Sequence, residues 1–198
     1  FTAVTHILNK KGGVSAGGAS KSDSSSDSST TTRADLGPGV DGSALGKSYS
    51  KVVLAEFTTT KDIARDYEGS VMDCQTSALN VLTDRKGFDK ASMKVEGQAL
   101  DPSTLLVKVD LTDLRIASGA ARFWVGAMAG NSYVHARVTL VDGATGKVVR
   151  EQRLTTENNA WGAAWTGGST DRSIPRDMGA IIAGYIITVG GKAAQVGR

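Results

Sequence analysis

"LLVKVDLTDLRI", residues 105–116, is the stretch on which the fold turns. Leu105, Val107, Val109 and Leu111 alternate with Lys108, Asp110 and Thr112. Successive side chains of a strand point to opposite faces, so this period of two marks a strand with one buried and one wet face. By the same rule Asp110 and Asp113, an odd number of residues apart, are expected to face opposite ways and to form no acid–base pair.

The segments on either side extend the pattern. "SYVHARVTLVD" (132–142) sets Tyr133, His135, Arg137 and Thr139 against Val134, Ala136, Val138 and Leu140. "DGATGK" is a hairpin turn, and "VVREQRLTTE" (148–157) is the return strand. Upstream, "LDPS" (100–103) is a turn, and "FDKASMKVEG" (88–97) and "KVVLAEF" (51–57) are short strands. Between those two strands, "TTTKD" supplies capping groups to a single long helix from about Lys61 to Lys86. Its apolar stripe is Ile63, Tyr67, Val71, Cys74, Ala78 and Leu82, and Gly87 ends it. "SIPRDMGAIIAGYIITV" (173–189) predicts a closing helix with Ser173 as N-cap and Pro175 in the first turn. Its stripe runs Met178, Ile181, Ile182, Tyr185 and Val189.

This order predicts an α+β fold: a mostly antiparallel or mixed sheet of about five strands, two helices on one face, and a long extended N-terminal arm. The domain is expected over residues 49–198 and the arm over residues 1–48. Residues 11–48 hold almost no large apolar side chains and no period, so alone they have no means of ordering. A flexible coil of that length spans about 30–35 Å on average and reaches roughly 120 Å when stretched. "SDSSSDSSTTT" in the arm has the composition of a segment carrying O-linked glycans. At the tip, residues 1–10 alternate as a strand, with Val4, His6 and Leu8 on one face and Thr5, Ile7 and Asn9 on the other.

Composition excludes several classes. Hydrophobic residues make 40% of the 198 and charged residues 22%, a globular balance. The net charge of +3 is small and the basic residues are scattered, which leaves no patch for nucleic acid. No apolar run approaches the roughly 20 residues of a membrane span. His6 and His135, the two histidines, stand far apart, so neither a metal site nor a Ser-His-Asp arrangement is well supplied. Cys74 falls within the helical stripe and reads as a small buried residue. The chain begins at Phe1, so either a leader was removed, which fits export, or the sequence is a fragment.

Two Gly-rich segments remain. "ASGAARFWVGAMAGN" (117–131) lacks the G-K-[ST] ending of a phosphate loop, and no nucleotide or other cofactor is expected. "NNAWGAAWTGGSTDR" (158–172) is the second. Between them they carry Trp124, Trp161 and Trp165, each able to bury roughly 150–250 Å². Three uses suit them: covering the sheet, packing against a neighbouring subunit, or forming a platform for a sugar.

The series "VVLAEF", "LTDRKGF", "LLVKVDLTDL", "VHARVTLVDGATGKVVRE" and "AIIAGYI" resembles a family of bacterial exported lipoproteins whose shared domain has no assigned function. More distantly it is similar to the α+β fold of the curli-secretion lipoprotein, the TolB N-terminal domain and the outer-membrane activators of penicillin-binding proteins. The resemblance covers about residues 49–190. Asp142, Gly143, Gly146 and Lys147 match its hairpin, and Arg122, Gly126 and Gly130 match the segment before it. It implies an exported envelope protein that works by protein–protein contact, and it carries over no catalytic residues. No N-terminal Cys matches the position that accepts lipid in that family.

The expectation is therefore a non-enzymatic assembly subunit of the bacterial envelope or exterior, built into a filament or ring by arm exchange. Val4, His6, Ile7 and Leu8 are the expected donor residues, and a sheet edge with Trp124, Trp161 and Trp165 the acceptor. A monomeric accessory protein of a secretion or cell-wall machine and a glycan-binding module are the alternatives.

Overall fold

The computed structural model describes residues 39–116, 132–156 and 173–195. Val4, His6, Ile7, Leu8, Trp124, Trp161, Trp165 and the Ser/Thr-rich stretch of the arm lie outside them. The described elements run β1 (Lys51–Leu54), β2 (Thr58–Thr59), α1 (Lys61–Asp66), α2 (Ser70–Asp84), β3 (Lys90–Met93), β4 (Thr104–Arg115), β5 (Tyr133–Asp142), β6 (Val148–Thr155), α3 (Ile174–Gly190) and a 3₁₀ turn at Lys192–Gln195.

The strands form one mixed sheet in the order β3-β1-β4-β5-β6, with β2 beside β4. β1 runs parallel to both β3 and β4, because the helical crossover between β1 and β3 brings the chain back in the same direction. β4, β5 and β6 are antiparallel neighbours, and β5 and β6 are joined by the expected hairpin. The predicted α+β architecture holds.

The core lies between the sheet and the helices. Leu105, Val107, Val109, Leu111, Val134, Ala136, Val138 and Leu140 all point into it, as their alternation predicts. α3 is buried along most of its length, with Met178, Ile182, Tyr185 and Ile186 fully enclosed. α2 contributes Cys74, Ala78 and Leu82.

Three expectations are corrected. The single helix over 61–86 is two helices, because Gly69 sits at φ +81° and breaks the ladder. Thr60 caps α1, its hydroxyl accepting from the Ile63 amide at 3.3 Å. The left-handed residue after α2 is Lys86, at φ +50°, and not Gly87. A Cβ on Gly87 would lie 2.8 Å from the Ile187 side chain, so that position is small because α3 packs against it.

The third correction concerns the stretch that opened the sequence. The β4–β5 register shifts between Leu111 and Asp113, leaving Thr112 as an extra residue. Asp110 pairs with Arg137 and Asp113 with His135, and His135 and Arg137 share a face of β5. Asp110 and Asp113 therefore both lie on the face away from the helices. Leu111 and Leu114 both stay in the core. Burying a leucine contributes about 1.5–3 kcal/mol, which favours the bulge over regular pairing that would turn Leu114 out to water.

Candidate functional site: the β6 edge and the outer sheet face

β3 and β6 are the two ends of the strand order. β3 has four residues and is bracketed by Lys90 and Lys94, the kind of short, lysine-flanked strand that resists edge pairing. β6 has eight residues, and among the described residues no strand pairs on its far side. Val148 and Val149 at its start are 61% and 40% exposed.

Residues 39–47 run onto this edge and across to α3. On the helix-facing side of β6, Arg150 Nη1 donates to the Ser43 carbonyl at 2.6 Å and to the Asp41 carbonyl at 3.2 Å. Gln152 closes a second pair of bonds, accepting from the Asp41 amide and donating to the Gly39 carbonyl. Farther along, the buried Leu45 donates its amide to the Val189 carbonyl at the end of α3, at 2.8 Å. The last residues of the expected arm are thus fastened to the domain by polar side chains of β6. Arg150 is also the charge beside the enclosed Tyr185 ring. Burial pushes the Tyr185 hydroxyl up to about 12, and the guanidinium works against that rise.

The hairpin between β5 and β6 is tied to the same segment. Asp142 is buried and accepts from Lys47 Nζ at 2.5 Å and from the Tyr49 hydroxyl at 3.1 Å. Its other oxygen takes the Ala144 and Thr145 amides and the Thr145 hydroxyl. The Lys47 ammonium, followed by the Thr145 amide, holds the Asp142 carboxyl well below the usual carboxylate range. Burial, followed by the bond to Asp142, pushes the Tyr49 hydroxyl up to about 12.

The outer face of the sheet divides in two. At one end Val53, Leu106 and Val141 form a small apolar cluster with Ala55 and Leu100. At the other end the bulge gathers polar groups: Asp110, Asp113, His135, Arg137 and Arg153. His135 stacks on Tyr133 with ring centroids 4.9 Å apart, and its Nδ1 lies 4.0 Å from Asp113 Oδ2. A cavity of about 400 Å³ opens over Thr112, His135, Arg137, Arg153 and Thr155. Among the described residues there is no group of three His, Cys, Asp or Glu placed to hold a metal, and no helix long and apolar enough to cross a membrane.

Sequence reasoning missed both the fastening of residues 39–43 and the polar cluster. The cluster had a visible signal. The apolar spacing changes from two residues to three between Leu111 and Leu114, which is what a one-residue bulge produces.

The family model described as "Domain of unknown function (DUF4410)" matches residues 59–164. The chain belongs to that family. The matched span runs from β2 through β6, so it takes in the bulge, the polar cluster and the hairpin. No curated protein matches the sequence. Among solved structures, the PelC dodecamer from Paraburkholderia phytofirmans is similar at 15% identity, covering 77% of this chain and 96% of that one, with a TM-score of 0.48. A protein of Xanthomonas campestris is similar at 9% identity, covering 74% and 91%, with a TM-score of 0.42. Lipoprotein GNA1162 from Neisseria meningitidis is similar at 11% identity, covering 61% and 85%, with a TM-score of 0.33.

Proposed function

We propose that this chain is a structural subunit of a bacterial envelope or extracellular assembly, in which residues 2–8 of one copy dock as an added strand on the β6 edge of the next. The observation that carries the reading is the place where the arm begins. Arg150 and Gln152 fasten residues 39–43 beside an eight-residue edge strand that no described strand covers. An added strand would satisfy edge N–H and C=O groups, and its alternate side chains would meet Val148 and Val149. "TAVTHIL" has the alternation to do so, with Val4, His6, Ile7 and Leu8 as the contacting residues. Fixing the arm's root while leaving a long tether raises the local concentration of the tip around neighbouring subunits.

Trp124, Trp161 and Trp165 enter the proposal as further acceptor residues. In the sequence the segments carrying them follow Ile116 and Thr156, and the described pairs Arg115–Tyr133 and Thr155–His135 lie at that end of the sheet. Placement in the envelope or exterior rests on the sequence resemblance to exported lipoproteins.

Analytical ultracentrifugation of three proteins tests this: the full chain, the chain lacking residues 1–10, and a Val148→Lys, Val149→Lys double variant. The expected result is a multi-subunit species for the full chain and folded monomers for the other two. Assembly that survives the deletion refutes strand donation. A monomeric full chain refutes the assembly reading and leaves the accessory-protein alternative.

A further inference from the structure

We infer that the cavity over the β4 bulge is a binding site for an oxyanion group, a phosphate or a carboxylate, held by Arg137 and Arg153. These two arginines stand directly opposite each other in the β5–β6 register, on the face away from the helices. Like charges in that position destabilise a sheet unless something between them carries the opposite charge. Among the described residues Arg137 has acids on its flanks, Asp110 opposite it on β4 and Glu151 on β6, but no acid pairs with Arg153. Arg153 makes no ion pair among the described residues. Among the described residues the acid paired with Arg137 is Glu151, whose Oε1 is 4.0 Å from Nε, too far for a hydrogen bond. Asp110, the cross-strand neighbour of Arg137 on β4, instead accepts from the Thr58 hydroxyl at 3.1 Å. The Arg137 Nε is buried and has no hydrogen-bond partner. A buried, unpaired N–H of a charged group is costly to leave so.

The surroundings suit an anion. The cavity holds about 400 Å³, room for a phosphate or a small organic acid. Thr112, His135 and Thr155 are among its lining residues. Two guanidinium groups meet oxyanions with paired N–H donors, a geometry that a lysine does not reproduce. The cavity includes the bulged Thr112 in its lining. It does not depend on the arm, so its test is separate from that of assembly.

Isothermal titration of the full chain at low salt, with inorganic phosphate and separately with acetate, tests the inference. The expected result is saturable millimolar or tighter binding of at least one of them. Phosphate alone binding assigns a phosphate site, and acetate binding assigns a carboxylate site. Arg153→Gln and Arg153→Lys should each weaken binding by about tenfold or more, since a charge-assisted pair of bonds is lost in both. Lys94→Gln, beyond the far edge strand, should leave binding unchanged. Thermal melts of the same variants show whether they fold, and the lysine variant keeps the charge if the glutamine variant does not. Absence of saturable binding to both probes overturns the inference, as does equal weakening by Lys94→Gln.

Discussion

Gly179 on α3 packs directly on the backbone of Cys74 on α2: a Cβ at position 179 would lie 2.2 Å from the Cys74 carbonyl oxygen and 2.9 Å from the Ala78 amide nitrogen. Real side chains do not approach backbone that closely, so the two helices sit at the distance that a bare glycine allows. Ser77 holds the same contact from the other side, donating its hydroxyl to the Arg176 carbonyl at 2.7 Å.

Gly179→Ala should therefore destabilise the fold, although alanine is the better helix former by about 1 kcal/mol. Overpacking of this kind costs about 1–3 kcal/mol, because α2 must move rather than a flexible side chain. Urea unfolding followed by circular dichroism measures it. An unchanged or raised midpoint would show that the helices are not held at this spacing.

The carboxyls of Asp142 and Asp101 give the fold an acid limit. Lys47 holds Asp142, and Lys51 with Ser103 and Thr104 holds Asp101, each well below the usual carboxylate range. A carboxyl whose pKa is depressed by folding contributes its stability above the unfolded value, about 3.9, and loses it as pH falls through the folded value. Stability should thus be flat near neutrality and fall once the pH drops below about 4. Asp142→Asn should lower the plateau and flatten the fall. Urea midpoints taken across the acid range for both proteins check the sign, and parallel curves would count against it.

Cys74 should be chemically silent in the folded chain. Its thiol is fully enclosed between α2 and the core, and burial, followed by the neighbouring Asp73 charge, pushes its pKa far up, so little thiolate exists at working pH. Iodoacetamide at mildly alkaline pH should leave it unmodified in native buffer and alkylate it fully in denaturant. Rapid labelling of the native protein would mean that α2 opens on its own.

Much of the fold was legible in the residues. Alternation over 105–111 and 133–140 marked two strands and named their buried faces, because a period of two has no other regular use. "DGATGK" marked the hairpin, and the stripes of α2 and α3 placed Cys74, Leu82, Met178 and Tyr185 in the core. The helix break was harder to see, since Tyr67 and Val71 continue the apolar stripe across Gly69 and one left-handed residue leaves no trace in a periodicity.

The candidate sites were much less legible. The sequence by itself determined which segments become strands and helices and which faces turn inward. Those are properties of composition and local period. Tertiary structure alone decided that β6 ends the order of the described strands, that Arg150 and Gln152 hold residues 39–43 beside it, and that Arg137 and Arg153 stand opposite each other. The reason is that strand order and register are relations between segments distant in the chain, and a single extra residue at Thr112 changes which side chains become neighbours without altering either strand's own pattern.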